Sequence, residues 1–162
     1  MSKDIPIKAN CTFRKTGRFG LAVEDKTKKD SVTKAKLPSA LERACVAARV
    51  ADQNKGRDIL VLDMRPVTTI YDYFVISTGT SRRQIHAIAE ETDSALTRLG
   101  DERYSIEGYQ VSKWILEDFG DIIVHVFDPD TRKYYELEEL WSNAPRIDWA
   151  NVPLSPRIMG AL

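Results

Sequence analysis

Apolar and polar positions divide this chain into three regimes. Residues 1–36 are polar and charged and show no sustained period. From Leu41 to Trp141, apolar residues recur first at helical spacing, then in β-rich runs, then at helical spacing again. After residue 142 the period lapses and Pro145, Pro153 and Pro156 interrupt the chain. This pattern predicts a mostly disordered tail over 1–36, one folded domain over 37–142 and a Pro-containing C-terminal extension over 143–162. Trp149 suggests that part of the extension docks.

Within the domain the elements can be read in order. Ser39 and Glu42 form a capping-box pattern ahead of Leu41, Ala44, Cys45, Ala48 and Ala51, one apolar helical face that Gly56 ends. Asp58 to Met64 reads as a strand stopped by Arg65-Pro66, and Tyr73 to Ser77 as a second strand. Ser81 and Gln84 repeat the capping-box pattern ahead of Ile85, Ile88, Ala89, Thr92, Ala95, Leu96 and Leu99, with Gly100 as the stop. Arg103 to Glu107 is a short third strand.

The segment KWILEDFGDIIVHVF, Lys113 to Phe127, organises the rest. Two β-rich runs, Trp114 to Leu116 and Ile122 to Phe127, flank a polar turn over Glu117 to Asp121, which predicts a hairpin. The second run is apolar on both faces, as a covered central strand would be. Asp128-Pro129-Asp130 breaks it, and Thr131 to Trp141 reads as one short helix. Interleaved strands and helices ending in a hairpin predict an α/β mixed sheet of about five strands with helices mainly on one face.

Charge sharpens this picture. The 162-residue chain has a formal net charge of +0, but residues 1–36 carry +6 and the remainder −6. An acidic folded part fits a basic protein surface better than naked nucleic acid. The basic run Lys26 to Lys36 can touch ribosomal RNA or another polyanion, and a solvated tail is the plainer reading. Cys11 and Cys45 have no metal spacing, so reduced thiols in a cytoplasmic protein are expected. No apolar run approaches the ~18 residues of a membrane span. MSKDIPIKAN lacks the apolar segment of a secretory signal.

Candidate chemistry is thin. The Thr78 to Ser81 loop joins a strand to a helix start, where orphan N–H groups can wrap an anion, yet it has no Gly-Lys-Ser/Thr ending. Asp63, Asp72, Asp118 and Asp121 form no Asp-x-Asp pair beside it, so no metal and no cofactor is expected. His125, inside an apolar strand, reads as a hydrogen-bonded structural residue, and His86 as one on a solvated helix face. What stands out is aromatic: Trp114, Tyr134, Tyr135 and Trp141 interleave with Asp118, Asp121, Glu136, Glu138 and Glu139. Aromatic anchors ringed by acids suit a basic protein partner, though the same residues also suit a core.

Three stretches resemble the ribosomal silencing factor (Iojap-like) family: DILVLDMRPVTTIYDYFVISTGTSRRQIHAIAE, IEGYQVSKWILEDFGDIIVHVF and YYELEELW. The resemblance runs from about Leu41 to Trp141, and both tails fall outside it. It implies a nucleotidyltransferase-like fold without the catalytic carboxylates. It also implies binding to ribosomal protein fourteen of the large subunit, beside the face where subunits join. Docking there would block the small subunit and repress translation under starvation; mitochondrial and plastid members also act in large-subunit assembly. The chain is therefore expected to be a cytoplasmic translation repressor and not an enzyme. Its contact surface is expected to include Trp114, Leu116, Asp118, Asp121, Tyr135 and Glu138, with Trp114 as anchor. Two alternatives stand beside this: an assembly factor, and a nucleotidyltransferase-like enzyme using the Thr78–Ser81 loop. An exposed hairpin edge could also pair two copies away from the ribosome.

Overall fold

The structure, a computed structural model, describes residues 37–160. The expected basic tail, with Cys11 and the run Lys26 to Lys36, lies outside the described residues.

Helix α1 (Ala40–Gln53) starts with the full capping box: the Ser39 side chain accepts from the Glu42 N–H, and the Glu42 carboxylate accepts from the Ser39 N–H. Strands β1 (Arg57–Asp63) and β2 (Tyr73–Thr78) follow, then helix α2 (Arg82–Arg98). Here Ser81 again caps Gln84, but the Gln84 amide oxygen accepts from Thr80 instead of Ser81, so the box is offset by one residue. Strands β3 (Ser105–Glu107), β4 (Trp114–Asp118) and β5 (Ile122–Phe127) come next.

The sheet has six strands in the order β3-β4-β5-β2-β1-β6, where β6 is Arg146–Ile147. β2 and β5 pair in parallel and every other pairing is antiparallel, which gives the mixed α/β fold expected. β2 and β5 are buried at every position, consistent with their predominantly apolar sequences and central place in the sheet. Alternation sends Val61, Val75, Ile115, Ile122, Val124 and Val126 into the main core beneath α1 and α2. Phe74, Ile123, His125 and Phe127 point to the opposite face. There the Phe74 ring meets Trp141 edge-on at 6.1 Å.

Three expectations are corrected. The polar turn is shorter than Glu117 to Asp121, because β4 runs through Asp118 and carries Glu117 to 0% exposure. Thr131 to Trp141 is not one helix but two, α3 (Pro129–Tyr135) and α4 (Leu137–Leu140), broken at Glu136 in a left-handed conformation (φ 46°, ψ 50°). Asp128 and Pro129 do not merely end β5; they open α3 as N-cap and first-turn proline. The six strands agree with the expectation of about five, the sixth being the short β6. Residues 143–160 pack on the domain: Ile147 pairs with Val61, and the Trp149 indole donates to the Ile59 carbonyl. Arg49 donates to the carbonyls of Trp149, Ala150 and Val152. Ile158, on helix α5 (Pro156–Met159), is fully buried in the core.

Candidate protein-docking face

β4 presents Trp114, Leu116 and Asp118 on the face opposite α1 and α2, because Ile115 and Glu117 take the alternate positions against the helices. The start of β4 is fixed by a tight approach. Gly108 has φ 73°, and a Cβ there would lie 1.9 Å from the Trp114 carbonyl oxygen, so only glycine fits. Trp114 sits opposite Phe127 in the ladder. The two rings stack at 4.7 Å and 26°, and Tyr135 leans on the indole from α3 at 4.9 Å. Tyr134, 63% exposed, meets Tyr135 edge-on. Trp114 is half-buried, and its indole N–H donates inward to His125 Nδ1 at 3.3 Å.

His125 is fully buried, as expected of a structural histidine, and burial pushes its pKa down to about 3. Leu116, half-buried, pairs with His125 in the ladder, one step along the same face from Trp114. Trp114, Leu116 and Tyr135 therefore form one aromatic–aliphatic strip. Asp118 lies four residues along β4 from Trp114, about 13 Å away at ~3.3 Å per residue.

The acids are less available than their spacing suggested. Asp118 is buried, and its Oδ1 accepts the Gly120 N–H at 2.8 Å, holding the turn. Asp121 accepts from Arg43 Nη2 at 2.6 Å, which draws it toward α1. Glu138 accepts from Arg132 Nε at 2.9 Å, and Arg132 also donates to Thr78 Oγ1 at 2.7 Å. Each expected docking acid thus already holds a partner within the chain.

Sequence reading expects a hydrogen-bonded His125 but does not identify its partner, the Trp114 indole, and it places Glu117 in a turn. Glu117 lies beneath α2, where Arg103 donates to it at 2.9 Å and also meets Asp93. Burial outweighs Arg103 and pushes Glu117 up to about 8. Nor is His86 on an open face: its Nε2 lies 2.5 Å from Ser112 Oγ and its ring 4.2 Å from Tyr109.

In the Thr78–Ser81 loop, Thr78 Oγ1 accepts from Arg132 on α3, and the polar groups of Thr80 and Ser81 are engaged in starting α2. Thr80 N–H and Oγ1 both donate to Gln84 Oε1, and Ser81 Oγ accepts from Gln84. Among the described residues no three His, Cys, Asp or Glu side chains are grouped to hold a metal ion. Cys45 is buried and its thiol is pushed up to about 11 by that burial, which leaves it unreactive. No helix among the described residues is long and apolar enough to cross a membrane.

Known proteins resemble this architecture. The model of the family described as ribosomal silencing factor during starvation matches residues 37–159. A Bacillus subtilis protein named ribosomal silencing factor RsfS is 42% identical over 103 residues, 64% of this chain and 87% of its own. A mouse protein named mitochondrial assembly of ribosomal large subunit protein 1 is 39% identical over 93 residues, 56% of this chain and 41% of its own. A crystal structure of a Chromobacterium violaceum protein superposes with a TM-score of 0.63 at 33% identity, covering 65% of this chain and 88% of that one.

Proposed function

The chain belongs to the ribosomal silencing factor family, and on that premise we propose that it is a cytoplasmic translation repressor acting by occlusion. It docks on the large ribosomal subunit through ribosomal protein fourteen and keeps the small subunit from joining. The family match over residues 37–159 carries this reading. The strip of Trp114, Leu116 and Tyr135 supports it physically, since half-buried aromatic anchors are what a protein partner buries. Asp118, Asp121 and Glu138 contribute as the acidic surround, with Asp121 the most open at 40% side-chain exposure. An occluding protein needs affinity and placement and no bond-making step. Charge complementarity between an acidic domain and a basic ribosomal protein would speed encounter.

A second reading, large-subunit assembly factor, draws on the mouse relative's name. Both readings use the same docking face. Co-sedimentation with purified large and small subunits tests the docking: the chain should pellet with the large subunit alone and lower the yield of joined particles. No pelleting with large subunits would overturn both readings. Density gradients of cells lacking the protein separate the two, because loss of an assembly factor leaves precursor particles and loss of a repressor does not.

A further inference from the structure

We infer that His125 is a positioning residue for the docking face: it turns the one polar atom of Trp114 inward, so the face offers its partner an indole surface made of carbon alone. The chemistry this selects over Trp114 is an aliphatic or aromatic side chain, not a hydrogen-bond acceptor. The inference deepens the docking reading above and rests on it.

The indole N–H can only donate. In the structure it donates to His125 Nδ1 at 3.3 Å. An accepting Nδ1 carries a lone pair, so the ring proton sits on Nε2. Nε2 is itself buried and has no hydrogen-bond partner among the described residues. A buried donor left without an acceptor is costly, and an apolar side chain of similar shape would avoid that cost. The rings around this histidine are Phe74 at 5.0 Å, Phe127 at 6.1 Å and Trp114 at 5.9 Å. Phenylalanine has no polar atom, and the nearest contact that uses His125 chemically is the one to Trp114. What histidine adds at this position is therefore an acceptor for the indole, at the expense of its own second nitrogen.

The geometry says why the acceptor matters. Trp114 lies between Phe127 and Tyr135, so its ring plane is confined while the sense of its edge is not. With the N–H engaged inward, the half-exposed part of the ring carries only C–H groups. With the ring reversed, the N–H would face outward and would need an acceptor from water or from the partner, at a desolvation cost on docking.

The test uses the 15N-labelled full chain and purified large subunits. The wild-type ring nitrogens of His125 should report the Nε2–H tautomer, and the Trp114 indole proton should exchange slowly. In His125→Phe that proton should exchange at least tenfold faster and large-subunit binding should fall about tenfold. His125→Gln, which keeps an acceptor, should restore both in part. Trp114→Phe, which keeps the ring and lacks the N–H, should lose a few-fold in affinity where Trp114→Ala loses about thirtyfold. In the Trp114→Phe background, His125→Phe should add less than a twofold loss. An Nδ1–H tautomer, unchanged indole exchange in His125→Phe, or equal losses from Trp114→Phe and Trp114→Ala would each overturn the inference. If His125→Phe does not fold, the tautomer and the two Trp114 variants still decide it. Unchanged binding in Trp114→Ala would instead remove the docking assignment itself, and with it the partner chemistry, whatever the indole exchange shows.

Discussion

Arg43 on α1 donates to the Asp121 carboxylate at 2.6 Å, across 78 residues of sequence, and ties the first helix to the β4–β5 turn. Arg43 is 3% exposed and also pairs with Asp101. The two acids differ in burial, so their loss should differ. Asp121→Ala leaves Arg43 with Asp101 and removes a part-exposed carboxylate, a loss of about 1 kcal/mol. Arg43→Met strands two acids, one of them buried, and should cost about 3 kcal/mol or more. Urea denaturation of the two variants should give that order, and the reverse order would refute the assignment.

Trp114→Ala removes the half-buried anchor of the strip. Binding to large subunits should weaken by ~2 kcal/mol or more, a typical anchor effect. The thermal midpoint, measured in parallel, separates lost contact from lost fold.

Gly108→Ala places a methyl against the Trp114 carbonyl at a backbone angle that L residues avoid. The positive φ alone costs roughly 1–3 kcal/mol, and the clash adds to it. Calorimetry should show a fall of several degrees in Tm, and binding should fall too because β4 starts at this point. A variant as stable and as tightly bound as wild type would contradict so close an approach of the loop to β4.

Glu117 and His125 give stability opposite pH slopes. Glu117 is raised to about 8 from an ordinary 4.5, so its contribution is complete below about 4.5 and is lost as pH rises toward 8. His125 is lowered to about 3 from 6.5, so the folded state loses stability as pH falls from 6.5 toward 3 while the unfolded histidine takes up a proton. Glu117→Gln should flatten the decline on the alkaline side and leave the acid side as it was. Thermal melts from pH 4 to 9 read both limbs; an unchanged alkaline limb would show that Arg103 keeps Glu117 ionised throughout.

Ile158 is fully buried although it lies only four residues from the end of the chain. Ile158→Ala should destabilise the domain by about 2–5 kcal/mol, as for other buried large-to-small changes. A loss below about 0.5 kcal/mol in chemical denaturation would mean that the C-terminal stretch does not hold this position in solution.

Much of the fold was legible because its signals are local. Ser39 and Glu42 lie one helical turn apart, and the structure joins them as the pattern required. The run of β5, apolar on both faces, marked it as a covered central strand, and the structure buries it at every position. The site was legible in part: Trp114, Leu116 and Tyr135 do come together. The intrachain partners of its acids were not legible, because sequence spacing does not say which carboxylate meets a distant arginine. Glu117 looked like a turn residue beside Asp118 and Gly120, and only pairing of Glu117 with Val124 in the ladder shows it inside the sheet.

The sequence by itself determined the two long helices α1 and α2, the central strands and the family, because periodicity, caps and motif order are written within a few neighbouring residues. Tertiary packing alone decided that Glu136 would break a helix, that Arg146 and Ile147 would add a sixth strand, and that His125 would stand behind Trp114. Those outcomes depend on segments far apart in the chain meeting in space. There burial and hydrogen-bond demand outweigh local preference.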